Sequence, residues 1–449
     1  MTRLASGKTS DHARAGVVAS QPWLTALRRA AAERFSAVGY PKPTDENWRL
    51  TNVASIARTK FAPAPAHLDD EAGHLIRDAA FGPDAAIELV FVNGHFAPSL
   101  SQTSRSVRGL TVTTIAQSLG SSPAILEQNL GRLAEITDTP FIAMNTANVH
   151  DGAVLHLARG TSVEKPIHLL FVSTTGAEPT QSFPRVLIVA EENSELNLVE
   201  SFVGGRGVHL TCAVTEIFSG SDCRINYDRM QIGGEEGFAV TALAAKLARG
   251  SRFISHAATL GGNFTRNDLK IILAGEGADA TINGLAILSG NQHCDNHTLL
   301  DHAAAHCPSH ELYKHVLAGR STCVFRGKIL VRPGAQKTDS KQSSKSLLLS
   351  DDAQMNSEPA LEIYADDVKC THGSTTGPVD EEMIFYLRSR GVGLEASRHL
   401  LTYAFAADVT RRIKVEPVRR RLEDFLAAQH GLPRDLRITD LGAHDEKAR

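Results

Sequence analysis

Residues 361–373 read LEIYADDVKCTHG, which is a strand pattern, a two-residue turn and a second strand pattern. Apolar side chains alternate with polar ones before the turn, as is typical of a strand with one buried face. Asp366 and Asp367 are residue types that favour a turn. This stretch therefore predicts short strands joined by tight corners.

The same pattern extends upstream over residues 151–378. Short β-patterned runs follow one another there, separated by Gly, Asn, Ser and Asp, with almost no helical periodicity. The separators recur at intervals of roughly 26 to 30 residues, which favours a coiled stack of strands, a β-solenoid. A Greek-key sandwich also consists of strands and turns, so periodicity alone leaves it open.

Helical patterns flank this β-rich segment. A helix is predicted after Pro22, a short one at 123–133, and three more at 380–390, 394–409 and 417–429. The predicted organisation is a flexible tail at 1–20, an N-terminal helical and mixed domain at 21–150, a β-helix core at 151–378, a C-terminal helical domain at 379–440 and a tail at 441–449.

Composition, charge and cysteine content limit the classes of protein to which this chain could belong. The 449 residues are 42% hydrophobic and 22% charged, as in an ordinary globular protein, and the formal net charge of -3 gives no reason to expect nucleic-acid binding. No 18-residue apolar run or apolar leader is present, so neither export nor a membrane span is expected. The six cysteines are dispersed without a CxxC pair, which indicates reduced thiols in the cytoplasm.

Two short motifs imitate nucleotide-binding loops. Gly7-Lys8-Thr9 lacks the earlier glycine of a P-loop, and the Gly275–Gly277 segment leads into a strand pattern where a dinucleotide fold would place a helix. The sequence therefore predicts a protein without its own nucleotide-hydrolysis motif, and the second motif is predicted to be a solenoid corner.

Cys370 and His372 are the candidate ligands of the last predicted strand. Side chains two residues apart share one face, with Cα atoms roughly 7 Å apart, so a thiolate and an imidazole could hold one soft metal ion or cluster edge. Lys369 would lower the pKa of the thiol if it lay close in space. A small buried apolar side chain is the alternative interpretation of Cys370.

The segment 291–315 is rich in histidine. Two trios are spaced so that each would share one face of a strand: His293, Asp295 and His297, and His302, His306 and His310. A metal or cluster relay is one interpretation, and hydrogen-bonded polar side chains on a sheet are the other. Standard zinc spacing is absent, and the role of this cluster stays open.

Several runs carry a resemblance to a known family. They are QHCDNHT (292–298), FRGKI (325–329), AQKTD (335–339), EIYADDVKCTHG (362–373) and DEEMIFYLRSRGV (380–392). These runs closely resemble the SufB/SufD family of iron–sulfur cluster assembly proteins, densely over 280–395 and more weakly back to Trp48. The run KSLLLSDDA at 345–353 is similar to the SufD branch of that family rather than the SufB branch.

The resemblance implies a mainly β fold, a right-handed parallel β-helix flanked by helical domains. It also implies a non-ATPase scaffold that works with a SufB-like paralogue and a SufC-like ABC ATPase. A transient iron–sulfur cluster would form at the SufB-like interface for transfer to apoproteins, with His372 and Cys370 as interface ligands and no permanently bound cofactor. The ATPase would dock on the C-terminal helices, with these candidate contacts: Asp380, Glu381, Glu382, Phe385, Tyr386, Arg388 and Arg390.

Two alternative functions remain at this point. One is the SufB role performed by a homodimer, and the other is a β-helix enzyme acting on polysaccharide. An aromatic content of 6% speaks against an aromatic-lined polysaccharide groove. The sequence leaves open the cluster type, the route of iron entry, a flavin, and the choice between homodimer and heterocomplex.

Overall fold

The computed structural model describes residues 21–66 and 68–429, so the tails predicted at 1–20 and 441–449 lie outside the described residues. The α-helices are α1 (Pro22–Val38), α2 (Ala54–Arg58), α3 (Asp70–Ala79), α4 (Ile115–Ser121), α5 (Pro123–Asn129), α6 (Pro140–Asn148), α7 (Glu381–Ser389), α8 (Leu394–Thr410) and α9 (Glu416–Gln429). Short 3-10 turns lie at Glu46–Trp48, Gly82–Asp84 and Pro98–Leu100.

The strands before residue 240 are β1 (Ala62–Pro63), β2 (Ile87–Val92), β3 (His95–Phe96), β4 (Leu110–Thr114), β5 (Gly152–Leu157), β6 (Ser162–Ser173), β7 (Thr180–Ser182), β8 (Arg185–Ala190), β9 (Glu195–Gly204), β10 (His209–Ser219), β11 (Arg224–Gly233) and β12 (Phe238–Leu247). The later strands are β13 (Arg252–Gly261), β14 (Phe264–Leu273), β15 (Asp279–Leu288), β16 (His293–His302), β17 (Pro308–Leu317), β18 (Thr322–Val331), β19 (Asp339–Leu348), β20 (Gln354–Ser357), β21 (Ala360–Ile363) and β22 (Lys369–Gly377).

Successive strands alternate between two sheets. Sheet A has the order β20-β18-β16-β14-β12-β10-β8-β5-β4, with β21 on β18 and β7 joining β10 to β1. Sheet B has the order β22-β19-β17-β15-β13-β11-β9-β6-β2-β3. Neighbouring coils pair in parallel and almost without bulges: Phe238 lies opposite Phe264, and Pro308 lies opposite Asp339. This topology confirms the β-solenoid and excludes the Greek-key sandwich, whose strands pair antiparallel.

The main core lies between the two sheets. Alternate residues of each strand point inward, and an apolar cluster from both sheets fills the interior along the solenoid. At its N-terminal part Phe91, Phe171 and Phe202 form a stack on three successive coils, with ring centroids 5.0 Å apart. Because equivalent positions stack coil on coil, each inward side chain packs mainly on its counterparts one coil away.

The C-terminal helices fold back along the outer face of sheet B. In α8, Asp408 and the carbonyl of Phe405 both bind the buried ammonium of Lys314 on β17, at 2.9 Å each. Arg421 of α9 donates to the carbonyls of Asp78 and Ala80, at 2.8 and 3.0 Å. The C-terminal segment is therefore anchored both to the solenoid and to the N-terminal region.

The structure also bears on membrane association. Within residues 21–66 and 68–429, no helix combines the length and the apolar character that crossing a bilayer requires.

Candidate functional site

The last coil leaves the C-terminal end of the solenoid open. Strand β22 pairs with β19 on one side only, and β20 and β21 end sheet A at the same end of the molecule. Residues 371–376 of β22 are all exposed. Two sheets thus end together in strands whose outer backbone N–H and C=O groups have no strand partner in the described part of the chain.

Cys370 and His372 lie on the same side of β22, as the strand pattern predicts. They are in register with Ser340 and Gln342 of β19, whose side chains point into the solenoid. Cys370 is half-buried against the end of the apolar core, and His372 is exposed. The structure therefore brings the two predicted ligands to one face of the terminal strand.

The pKa of the Cys370 thiol shifts in the direction opposite to the one that a nearby Lys369 would cause. Burial raises the pKa of the Cys370 thiol, the backbone N–H of Ser340 lowers it, and Asp339 raises it further. Lys369 is exposed and precedes Cys370 on the strand, so its side chain belongs to the opposite face. The free thiol is thus protonated at neutral pH, and a metal ion that binds it must displace the proton.

Inside the solenoid, polar side chains of the two preceding coils lie in register with the two candidate ligands and form one row for each of them. On the Cys370 row, the Ser309 hydroxyl lies 2.6 Å from that of Ser340 on the next coil. On the His372 row, Gln342 donates to Glu311 at 2.6 Å. Burial raises the pKa of Glu311 to about 7. Sequence reasoning missed these rows, because only the register between coils about 30 residues apart reveals them.

Helix α7 follows β22 directly and presents the predicted docking residues. Asp380 is its N-cap and accepts from the backbone N–H of Glu382 at 2.8 Å. Phe385 is 75% exposed and Tyr386 is 50% exposed, although both are large and apolar in part. The Arg390 guanidinium lies 3.6 Å from the centre of the Tyr386 ring.

The remaining predicted contacts of α7 are charged. Glu381 and Glu382 lie in the first turn, where the helix dipole favours acidic side chains, and Arg388 lies in the last turn. Ile384 is the buried residue of this helix. One face of α7 thus packs on the protein, and an aromatic and charged face is open to solvent.

The first histidine trio has a structural role. His293, Asp295 and His297 share the outer face of β16 as predicted. Asp295 is fully buried, where it binds Arg266, Thr51 and His297. Nearby Arg266, reinforced by the hydrogen bonds, holds the pKa of the Asp295 carboxyl well below its usual range despite burial. These contacts tie the N-terminal region to sheet A.

The predicted grouping of the second trio is wrong. His302 is buried inside the solenoid, His306 occupies a corner with φ of 58°, and His310 is exposed on β17. A spacing of four residues places side chains on one face only within a single strand, and the turn between β16 and β17 separates these three residues. In the part of the chain that the structure describes, no three His, Cys, Asp or Glu side chains come together as a metal site.

Comparison with protein families matches nearly the whole chain. The family model for "SUF system FeS cluster assembly, SufBD core domain" matches residues 171–405, and that for "SufBD protein N-terminal region" matches residues 12–169. The chain belongs to the SufBD family. This confirms the resemblance seen in the sequence and assigns the chain to iron–sulfur cluster assembly within the SUF system.

Curated SufBD relatives match over most of their length. An iron–sulfur cluster assembly SufBD family protein of Synechocystis sp. is 30% identical, over 90% of each chain. The iron–sulfur cluster assembly protein SufD of Escherichia coli is 28% identical, over 86% of this chain and 88% of the relative. SufD of Bacillus subtilis is 24% identical, over 89% of this chain and 92% of the relative.

Proposed function

We propose that this SufBD protein is a SufD-type scaffold subunit. It pairs in the cytoplasm with a SufB-like paralogue and a SufC-like ABC ATPase, and it helps to assemble iron–sulfur clusters and deliver them to apoproteins. The SufD names of two relatives support the branch assignment. The run at 345–353, similar to the SufD branch, also supports it.

One observation carries the proposal: the solenoid ends in a strand with one unpaired edge, and this strand carries an imidazole and a thiol on the same side. Such an edge can be completed by a strand of another chain, since main-chain hydrogen bonds provide affinity. His372 on the exposed part of β22 is then an interface ligand, and Cys370 is a second ligand or sulfur contact. The cluster is the cargo of this site, held only while the partner edge completes it.

We propose α7 as part of the docking surface for the ATPase subunit. Phe385 and Tyr386 expose large aromatic area, which is unusual in a monomer and frequent in binding hot spots. Charged residues surround these rings on the same short helix: Asp380, Glu381, Glu382, Arg388 and Arg390. An aromatic centre with a charged rim is the expected anatomy of a protein–protein contact.

The ligand assignment is tested by co-expressing this chain with its SufB-like and SufC-like partners. His372→Ala is expected to abolish most of the cluster absorbance of the purified complex while the three subunits still co-purify. His310→Ala, which removes another exposed histidine of sheet B, should leave the absorbance unchanged. Full cluster content in the His372 variant would remove this residue from the site.

The docking surface is tested by retention of the ATPase subunit. Phe385→Ala should weaken its co-purification with this chain, because truncating a central aromatic anchor typically costs about 2 kcal/mol or more in binding. Leu50→Ala serves as the control, since it shortens an exposed apolar side chain of the N-terminal region. Equal retention by both variants would contradict docking on α7.

A further inference from the structure

Three sulfur-containing side chains lie in register on successive coils of sheet A. Cys294 of β16 pairs with Cys323 of β18, and Cys323 pairs with Met355 of β20. Cys323 lies two residues before the inward-facing Phe325 on β18, so it and the two residues in register with it form a row on the inner side of the sheet. The row runs to the open end of the solenoid.

The two cysteines interact with each other in a dry environment. Both thiols are fully buried, and burial together with the adjacent Cys294 raises the pKa of the Cys323 thiol well above its usual value. Apolar neighbours surround them: Ala286, Leu288, Leu317 and Ala353. The only polar contact that reaches them from a side chain of the described interior is the amide of Asn296, whose Nδ2 lies 3.5 Å from the Cys294 sulfur.

The other cysteines of the chain have no cysteine in register with them. Cys212, Cys223 and Cys307 each donate to a backbone carbonyl at 3.3, 2.9 and 3.3 Å, whereas the contact from Cys323 to the carbonyl of Val324 is longer, at 3.8 Å. Cys370 lies on sheet B, in register with a serine. Cys294 and Cys323 are therefore the only in-register pair among the six cysteines, all of which lie in the described residues.

The spacing of the strands suits a two-coordinate metal ion. Neighbouring strands lie about 4.7–4.9 Å apart, so equivalent side chains are separated by a similar distance. Two metal–sulfur bonds of about 2.3 Å laid end to end span about 4.6 Å. An ion could thus lie between the two sulfurs with little movement of the backbone, and the Met355 thioether is the next donor along the row.

The donor set selects the class of ion. Thiolate and thioether ligands favour soft ions such as copper(I), whereas a structural zinc site requires four ligands. In the described part of the chain no third Cys, His, Asp or Glu joins the pair. A monovalent ion also leaves a smaller charge in this apolar interior than a divalent ion with more anionic ligands would.

We propose that Cys294, Cys323 and Met355 form a binding site for a soft monovalent metal ion of the copper(I) class. Each thiol that binds the ion releases its proton to solvent, and no electron is transferred. The ion enters at the open end, where Met355 is only partly buried and β20 is four residues long. Bound metal links β16, β18 and β20, and so stabilises the last coils. This inference is independent of the proposed scaffold function.

The test titrates the full chain with copper(I) under anaerobic conditions, against bicinchoninate as a competing chelator. We expect the wild-type protein to retain one copper(I) and to show a higher midpoint of thermal unfolding when loaded. Cys294→Ser and Cys323→Ser should each lose the retained ion and the shift in midpoint. Met355→Leu keeps the volume of the side chain and should bind the ion more weakly.

Two controls keep the result interpretable. Cys307→Ser removes a buried thiol elsewhere and should retain the ion, and Cys370→Ser should retain it as well. X-ray absorption of the loaded wild-type protein should show sulfur ligands only, which does not depend on how well the variants fold. The assignment would be overturned if the wild-type protein failed to retain copper(I) or if X-ray absorption showed nitrogen ligands. It would also be overturned if Cys370→Ser were the one variant that lost the ion.

Discussion

The two ends of the solenoid are built in opposite ways. At the N-terminal end β3 pairs antiparallel with β2, and β4 pairs antiparallel with β5, so the parallel stack stops there. Val107, Leu110 and Val112 pack against the end of the core. At the C-terminal end β22 has one partner, and its inward-side residues His372 and Ser374 are exposed.

This difference indicates that the two ends of the solenoid have different roles, one in folding and one in partner binding. A solenoid has two sheet edges at each end, and unpaired edges invite association with other chains. This chain covers one end with its own N-terminal region and leaves the other uncovered in the described residues. The open end also carries the candidate ligands, so stability should depend on the covered end and assembly on the open one.

The largest expected loss of stability lies where the N-terminal region packs on the outer face of sheet A. Glu216 of β10 accepts from the backbone N–H groups of Gly131 and Leu133, at 2.8 and 2.9 Å, and pairs with Arg185, and both side chains are almost fully buried. Glu216→Ala leaves the guanidinium buried without its partner, so the free energy of unfolding should fall by about 3–5 kcal/mol. Urea unfolding, monitored by circular dichroism, measures this change in the free energy of unfolding.

A matched control separates burial from charge in this experiment. Glu195 pairs with Arg224 at 2.8 Å, but both side chains are largely exposed. Glu195→Ala should change the free energy of unfolding by no more than about 1 kcal/mol. Similar losses in the two variants would show that the buried pair does not hold the covering segment in place.

Most of the strand runs that the sequence identified have an apolar interior, whereas no run was identified in three strands whose interior is partly polar. Runs such as 186–189 and 329–331 show clear strand patterns because Val, Ile and Leu fill the core there. Strands β16, β17 and β19 have Asn296, Glu311 and Gln342 at inward positions, so apolar alternation is lost.

Helix α5 ends at Asn129, earlier than predicted, since Gly131 follows with φ of 75°.

The placement of the two candidate ligands on one face was predictable because they lie within one strand. A period of two is sufficient to place Cys370 and His372 on one face. Their surroundings were not predictable, because they depend on the pairing of strands about 30 residues apart. Asp339 is the clearest example: it raises the pKa of Cys370 from the neighbouring coil, while the adjacent Lys369 has no corresponding effect.

A second prediction concerns the polar interior near the open end. Glu311 is fully buried between Gln342 and Thr298, and burial raises its pKa to about 7, against about 4.5 in the unfolded chain. The folded state then holds the proton more tightly, so this residue's contribution to stability falls as pH rises from about 4.5 to about 7. Glu311→Gln stays neutral throughout.

The variant should therefore become more stable relative to the wild type as pH rises. The difference in free energy of unfolding should grow between pH 5 and pH 8 by at most about 3 kcal/mol. Burial lowers the pKa of His302 and His315 to about 4, but both residues are present in both proteins and cancel in the difference. Glu276→Gln, on an exposed corner, is the control. If the difference in free energy of unfolding between variant and wild type did not change with pH, Glu311 would not be the group that holds this proton.

The smallest expected effect on stability lies at the open end, in the cap of α7. Asp380 accepts from the N–H groups of Glu382 and Met383, at 2.8 and 3.5 Å, and is exposed. Asp380→Ala should destabilise this helix by about 1 kcal/mol, whereas Asp380→Asn keeps an acceptor oxygen and should cost less. Hydrogen exchange of the α7 amides measures the local opening.

The midpoint of global unfolding should stay unchanged in both Asp380 variants, because α7 buries only Ile384 and the solenoid does not depend on it. Faster exchange limited to α7 in the alanine variant would support an open end whose helix is only locally stable until a partner docks. A fall in the global midpoint similar to that of Glu216→Ala would contradict the contrast between the two ends, since the open end would then stabilise the whole fold.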